Sequence, residues 1–179
     1  MLLAENTLLL VVDFQERLMP AMRNCDELGR KAGALIKGCR LLDIPILTTQ
    51  QYTKGLGATV PDIEEALGEF EPIEKITFSC LGESAFVNKL SQFGEKNILV
   101  VGIEAHICVQ QTVLDLLGKG YNVYVIADCV GSRSETDYIY AGMRMQQAGA
   151  VLTTMESVLF EFLISAEHPK RKEISNLIK

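Results

Sequence analysis

Three residues that could together perform nucleophilic chemistry each follow an apolar segment of the sequence. Asp13 closes the run that begins at Thr7, Lys75 closes a shorter run, and Cys108 comes shortly after a third. Continuous apolar runs are typical of strands buried on both faces of a parallel sheet. Ligands of such sheets bind outside the carboxyl ends of the strands, so we expect the three side chains to meet in one crevice.

The segment Leu99–Val109 predicts how Cys108 would act. It reads as an apolar strand, a sharp turn and a helix that begins close to the cysteine. A helix N-terminus has free N–H groups and a partial positive charge, which would lower the pKa of the thiol and favour the nucleophilic thiolate. Cys108 is therefore the candidate nucleophile, and the N–H groups of Glu104 and Cys108 are candidate oxyanion-hole donors.

The other two residues would support that nucleophile. The Asp13 carboxylate could take the thiol proton as a general base. The Lys75 ammonium could lower the pKa of Cys108 further and face a developing oxyanion. Each residue also has an ordinary interpretation: a cap or loop aspartate, a solvated lysine and a buried core cysteine. His106 is an alternative base for Cys108, or else a loop residue that lines the pocket or faces solvent.

Metal and nucleotide motifs are missing from the sequence. The two histidines, His106 and His168, are far apart, and no Cys-x-x-Cys pair occurs, so we predict no metal site. Neither Gly-x-Gly-x-x-Gly nor Gly-x-x-x-x-Gly-Lys-Ser/Thr is present, so we predict no cofactor. A weaker alternative is a thiol redox sensor in which Cys129 pairs with Cys108, which needs Cα atoms within about 7 Å.

Composition narrows the class of protein. The chain has 179 residues, of which 48% are hydrophobic, which predicts a single folded domain over residues 1–179. Its net charge of −6 argues against a nucleic-acid partner. No apolar run reaches the ~18 residues of a membrane span, and no signal peptide is evident. The five cysteines form an odd set that favours a reducing compartment, so we predict a cytoplasmic protein.

Strand-like and helix-like segments alternate along the whole chain. Apolar runs near residues 7–13, 45–50, 73–75, 97–103, 121–128 and 150–153 predict strands. Segments near 26–42, 62–67, 84–90, 107–117, 134–147, 157 onward and 170–178 predict helices, with Asp26 capping the first and Ser134 the fifth. This alternation predicts an α/β fold with a parallel sheet between two helical layers. The long loop over 51–61 is expected to be functional.

Three segments of the sequence resemble those of the isochorismatase-like cysteine hydrolases. They are Leu10–Gln15, Lys75–Ser79 and Gly102–Val109. The resemblance is strongest to isochorismatase-domain-containing proteins of unassigned substrate, through residues 51–61, 112–117 and 168–170. It implies a Rossmann-like fold of three layers with a six-stranded, mostly parallel sheet. It also implies Asp13 as base, Lys75 as positioning cation, Cys108 as nucleophile of an acyl intermediate, a cis peptide before Glu104, and a homo-oligomer.

The resemblance has a limit that bears on the substrate. Nicotinamidases of this superfamily have an Asp-x-His metal motif after the second strand, and this chain has no histidine there. We therefore predict metal-free hydrolysis of a small amide-like (C–N) substrate through an acyl-cysteine. The expected substrate contacts are Phe14, Gln15, Gln51, Tyr52, Phe78 and His106. The alternative is a catalytically silent binding or scaffold protein of the same fold. The apolar segment Val158–Ile164 is either an oligomer interface or part of the core.

Overall fold

Six parallel strands form one sheet in the computed structural model, which describes residues 2–94 and 97–179. The strand order is β3-β2-β1-β4-β5-β6, and every pairing is parallel. The prediction of a six-stranded parallel sheet is confirmed. The strands are β1 (Thr7–Val12), β2 (Ile46–Gln51), β3 (Ile73–Lys75), β4 (Asn97–Ile103), β5 (Asn122–Gly131) and β6 (Val151–Thr153).

The described part of the chain contains eight α-helices, seven of which pack against the faces of this sheet. They are α1 (Cys25–Leu41), α2 (Thr53–Leu56), α3 (Pro61–Leu67), α4 (Ser84–Leu90), α5 (Gln110–Gly118), α6 (Glu135–Gln147), α7 (Met155–Leu163) and α8 (Arg171–Leu177). Buried residues of α1, α3, α7 and α8 pack on one face, and those of α4, α5 and α6 pack on the other. The three-layer α/β fold is thus confirmed, while the assignment of residues 1–179 to a single domain stays a prediction.

Strand β1 explains why its sequence is apolar without alternation. Leu9 and Val11 belong to the core beside α1, whereas Leu8, Leu10 and Val12 belong to the core beside α5. All five side chains are fully buried. A strand at the centre of a sheet that is covered on both faces needs apolar residues at every position.

Several predicted boundaries differ from the structure because they depend on local backbone geometry. The first helix begins at Cys25, after Asn24 in the left-handed region, so the prediction of Asp26 as its cap is wrong. The predicted cap Ser134 is confirmed, because its side chain accepts a hydrogen bond from the Asp137 N–H. The loop over 51–61 contains one helical turn, Thr53–Leu56.

Gly102 lets β4 approach β1 closely. Its φ is +140°, and a Cβ built on it would collide with the Val12 carbonyl oxygen and side chain. Only glycine fits such a position without displacing a neighbour. The close approach brings the ends of β1 and β4, and hence the residues that follow them, into one crevice.

The C-terminal apolar segment belongs mostly to the core. Val158, Leu159, Phe162 and Leu163 are buried and pack beside α1. Of the two interpretations of Val158–Ile164, the structure therefore favours core, and within this segment only Phe160 and Ile164 expose large apolar surface.

Among the described residues, none forms a helix of the length and apolarity that crossing a bilayer requires.

Candidate active site

The site lies where the strand order reverses. The chain proceeds from β1 outward through β2 and β3, and then returns to the other side of β1 as β4. At such a switch point the connections leave adjacent strands in opposite directions and open a crevice at their carboxyl ends. Asp13 directly follows β1, and Cys108 lies in the short helical turn after β4. The sequence prediction that these residues share one crevice therefore agrees with the topology.

Asp13 and Lys75 form a buried ion pair in this crevice. Lys75 Nζ lies 2.7 Å from Asp13 Oδ2, and the side chains are 1% and 0% exposed. Lys75 ends β3, two strands away from β1, so its side chain crosses the end of β2 to reach the carboxylate. The solvated-lysine interpretation of Lys75 is therefore wrong. Burying both charges is tolerable only because they are paired and hydrogen-bonded.

Three further acceptors surround the Lys75 ammonium group. It donates to Gln51 Oε1 at 2.6 Å, to the Phe78 carbonyl at 3.0 Å and to the Thr77 carbonyl at 3.3 Å. The carbonyls belong to the turn after β3, and Gln51 ends β2 opposite Lys75 in the parallel register. The ammonium is therefore fixed from several sides.

Thr49 completes the environment of Asp13. Its hydroxyl donates to Asp13 Oδ1 at 2.8 Å, whereas Oδ2 contacts Lys75 and accepts no hydrogen bond of good geometry within the described residues. Asp13 itself has a φ of 54°, a left-handed conformation that aspartate tolerates better than most residues. Thr49 was missed at the sequence level, because only the pairing of Val12 with Thr49 brings the threonine beside the residue after β1.

Cys108 lies in the helical turn Ala105–Val109, which continues into α5. Its side chain is only 6% exposed. The thiol interacts with both Asp13 and Lys75, and its sulfur lies 4.0 Å from Gln51 Oε1, at the outer limit of a hydrogen bond from a thiol. The three predicted catalytic residues are thus brought together around one sulfur atom.

The expected lowering of the thiol pKa is wrong. Burial and the negative charge of Asp13 raise the pKa of Cys108 to about 12, although Lys75 opposes them. Burial also raises the pKa of Asp13 against the effect of Lys75. Burial is the largest influence on Lys75 and disfavours its charge, but the attraction and hydrogen bond of Asp13 together with the influence of Cys108 and Cys80 raise the pKa of Lys75 overall. In the resting protein the thiol therefore keeps its proton, mainly because it is buried and because the Lys75 ammonium is paired with Asp13.

The turn before Cys108 has the geometry that the resemblance implied. The peptide bond between Ile103 and Glu104 is cis, as predicted. The Glu104 carbonyl accepts hydrogen bonds from the N–H groups of Ile107 and Val109. The Glu104 carboxylate oxygen Oε2 lies 2.8 Å from Arg133 Nε. The oxyanion hole of the Glu104 and Cys108 N–H groups stays a prediction.

His106 contacts a different part of the molecule. Its Nδ1 lies 3.0 Å from Ser132 Oγ, and its Nε2 lies 3.9 Å from Asp137 Oδ2. These neighbours belong to the segment between β5 and α6 and to α6 itself. The His106 ring thus interacts with Ser132 and Asp137, whereas Asp13 is the side chain that interacts with the Cys108 thiol.

The predicted substrate contacts divide into buried and exposed residues. Phe14 is buried in the core beside α1. Gln15 is fully buried, and its amide binds the backbone of Gln51 and Gly57. Because both side chains are buried, a substrate could not reach them from the surface, and both residues instead support the structure around the site. Tyr52 and Phe78 are 49% and 53% exposed and follow the ends of β2 and β3.

The redox interpretation is not supported by the packing. All five cysteines are free thiols. Cys129 packs in the core beside α1, whereas Cys108 packs in the core beside α5, on the opposite face of the sheet.

A group of three or more metal-binding side chains is not found in residues 2–94 and 97–179.

Comparison with known proteins assigns the chain to a family. The isochorismatase domain model matches residues 7–157, which include Asp13, Lys75 and Cys108. The chain belongs to the isochorismatase family. Isochorismatase domain-containing protein 1 of Danio rerio is 38% identical over 167 residues, covering 93% of this chain and 59% of that protein. This isochorismatase-family chain thus spans about three fifths of the length of that relative.

Solved structures agree with the isochorismatase assignment. The MAR1 ribonuclease of Caenorhabditis elegans is 42% identical, with a TM-score of 0.92 over 99% of this chain and 91% of that one. YcaC of Escherichia coli, described as an octameric hydrolase of unknown specificity, is 25% identical, with a TM-score of 0.89 over 98% and 86%. YcaC of Pseudomonas aeruginosa, solved with covalent acrylamide, is 25% identical, with a TM-score of 0.87 over 99% and 95%.

Proposed function

We propose that this protein hydrolyses a small amide-like C–N bond through an acyl intermediate on Cys108. The observation that carries the proposal is the buried Asp13–Lys75 ion pair beside the Cys108 thiol, whose sulfur lies 4.0 Å from the same Gln51 oxygen that accepts a hydrogen bond from Lys75. A carboxylate beside a thiol can serve as its base, and a fixed cation can stabilise the charge that develops when the thiol attacks. Membership of the isochorismatase family supports hydrolysis in general.

The first half of the reaction forms the acyl intermediate. Asp13 Oδ2 takes the proton of the Cys108 thiol as the sulfur attacks the substrate carbonyl carbon, forming a C–S bond. The carbonyl π electrons move to oxygen, where the N–H groups of Glu104 and Cys108 would stabilise the oxyanion. The C–N bond then breaks, the nitrogen takes the proton back from Asp13, and the amine leaves.

The second half restores the enzyme. A water molecule gives a proton to Asp13 while the water oxygen attacks the thioester carbon. The C–S bond breaks, the sulfur recovers the proton from Asp13, and the carboxylic acid leaves. Because the resting thiol is protonated, the proposed mechanism needs a base that removes the thiol proton during the attack and does not start from a preformed thiolate.

The substrate is expected to be small and partly apolar. The Cys108 side chain is only 6% exposed, which leaves little room for a large molecule. Tyr52, Ile76 and Phe78 expose apolar surface beside the turn that holds Lys75, so we place the apolar part of the substrate against them. His106, half-buried on the α6 side, is proposed as a polar contact of the substrate. Gln51 is proposed to act on the reaction through Lys75 and not to touch the substrate.

Assembly and location follow as part of the proposal. The octameric YcaC relative supports a homo-oligomer of this chain. The five free thiols fit a reducing cytoplasm. A nucleic-acid partner is not proposed, because the net charge of −6 would repel phosphates.

The test is a screen of small amides, carbamates and hydroxamates with three proteins. Wild type is expected to turn over at least one compound and to gain its acyl mass, Cys108→Ala is expected to be silent, and Cys25→Ala is the matched control at a thiol outside the site. Equal background turnover in wild type and Cys108→Ala would overturn the proposal and favour the binding or scaffold protein.

Because a 42% identical structure is of a MAR1 ribonuclease, RNA is included as a substrate. RNA cleavage that survives in Cys108→Ala would also overturn it.

A further inference from the structure

Gln51 lies between the ammonium group and the thiol of the site. Its Oε1 accepts a hydrogen bond from Lys75 Nζ at 2.6 Å and lies 4.0 Å from Cys108 Sγ. We propose that Gln51 is a positioning residue that fixes the Lys75 ammonium beside Cys108 without adding charge, and that Gln15 fixes Gln51. This inference rests on the proposed cysteine chemistry.

The contacts of Gln51 determine which way its amide points. Its Nε2 donates to the Ile76 carbonyl at 2.7 Å, and a carbonyl oxygen can only accept. The Lys75 ammonium can only donate, so Oε1 must face it. Gln51 is 8% exposed, and both ends of its amide are therefore committed to the protein rather than to a substrate.

Gln15 holds the backbone of Gln51 in register with Asp13. The Gln15 Oε1 accepts from the Gln51 N–H at 2.7 Å, and its Nε2 donates to the Gln51 carbonyl at 3.0 Å and to the Gly57 carbonyl at 2.8 Å. Gln15 follows Asp13 by two residues and is fully buried. The base and the residue that holds the cation are thus tied to each other through one side chain.

A neutral amide at position 51 has a specific electrostatic value. A carboxylate in its place would lie beside both Lys75 and the sulfur, would compete with Asp13 for the ammonium, and would disfavour the thiolate. An amide supplies the same acceptor geometry at no cost in charge. Replacing Gln51 by the nearly isosteric glutamate adds a negative charge at almost the same shape. It also removes the donor to the Ile76 carbonyl, a loss that Gln51→Met shares without the charge.

The experiment compares Gln51→Glu with Gln50→Glu. Gln50 is the matched control because it precedes Gln51 on β2, is similarly buried, and uses its amide on Thr53 and Thr59 rather than on Lys75. The rate of acrylamide addition to Cys108 is measured by mass spectrometry from pH 7 to 10, where the rate follows the thiolate fraction. We expect Gln51→Glu to slow addition by about tenfold or more at every pH, and Gln50→Glu by less than about threefold.

A second pair of variants guards against a folding defect. Gln51→Met removes the acceptor without adding charge, and Gln15→Met loosens the backbone of Gln51. Because each change leaves buried partners unpaired, the rates are compared at a temperature at which circular dichroism shows every variant fully folded, and both variants are expected to slow addition several-fold. Equal effects of glutamate at positions 50 and 51, or no effect at either, would overturn the inference. Because this readout needs no turnover, a protein that fails every amide screen but shows the Gln51 effect disproves the proposed hydrolysis alone.

Discussion

In the part of the chain that the structure describes, a cysteine, an aspartate and a lysine come together in two places that differ in burial. In the crevice between β1 and β4, Cys108 is beside the ion pair of Asp13 and Lys75. On the opposite face, Cys129 is beside the ion pair of Asp128 and Lys31. The first pair is 2.7 Å apart and 0–1% exposed, whereas the second is 3.3 Å apart and 21–26% exposed.

The second group has its functional atoms committed to structure. Asp128 Oδ1 accepts the N–H of Met155 at 2.9 Å, which ties β5 to the start of α7. Lys31 is shared with Glu27, and Cys129 is fully buried in an apolar layer. At the first group, by contrast, the ion pair of Asp13 and Lys75 lies beside the Cys108 thiol, and Cys108 retains some exposure. Residue types alone therefore do not define a site; the position of the three side chains at the carboxyl ends of the strands does.

The largest expected effect separates the two sulfur atoms. With a substrate found in the amide screen, Cys108→Ala is expected to lose at least about a thousandfold in kcat/KM, because the nucleophile is removed. Cys129→Ala is expected to retain activity within about twofold. Steady-state kinetics measure both, and similar losses for the two variants would contradict the distinction between the groups.

The next effect concerns the free energy of unfolding. Lys75→Met leaves the Asp13 charge buried without its partner and is expected to cost about 3–5 kcal/mol. Lys31→Met removes a partly exposed pair and is expected to cost less than about 1 kcal/mol. Urea denaturation monitored by circular dichroism gives both values. A Lys75→Met protein as stable as Lys31→Met would show that Asp13 is not charged in the resting state.

A smaller effect is expected from Thr49. Thr49→Val removes the hydroxyl that donates to Asp13 Oδ1 and is expected to cost about 1–2 kcal/mol. Because that hydrogen bond lowers the pKa of Asp13, its loss is expected to raise this pKa and move the acidic limb of the pH–rate profile upward. Thr48→Val, on the opposite face of β2, is the control, and an equal shift in that variant would refute the assignment.

The sequence predicts much of this molecule because its signals are local. The apolar run over Thr7–Val12 predicts a strand covered on both faces, and the positions of Asp13, Lys75 and Cys108 after such runs predict their convergence. Gln51 and Thr49 could not be assigned in the same way, because their roles arise from the parallel register between β1, β2 and β3. Gln51 is predicted from the sequence to lie near the site as a substrate contact, but nothing local in the sequence shows that its side chain holds Lys75.

The direction of the thiol pKa could not be predicted for a related reason. A helix N-terminus and a nearby lysine both favour a thiolate, and both features are visible in the sequence or inferred from it. The burial of Cys108 and the neutralisation of Lys75 by Asp13 exist only in the folded chain, and they outweigh the favourable factors.

The most direct test of the account is a titration of the Cys108 thiolate, read as the ultraviolet absorbance difference between wild type and Cys108→Ala. With the pKa of Cys108 raised to about 12, the thiolate fraction is very small at pH 7 to 9 and increases as the pH rises toward that value, so no measurable thiolate absorbance is expected at pH 7 to 9. Asp13→Asn removes the opposing negative charge and is expected to show thiolate at a lower pH than wild type, with Asp128→Asn unchanged. Full Cys108 thiolate in wild type at pH 7 would contradict the account, because the sulfur would then need no proton transfer to Asp13.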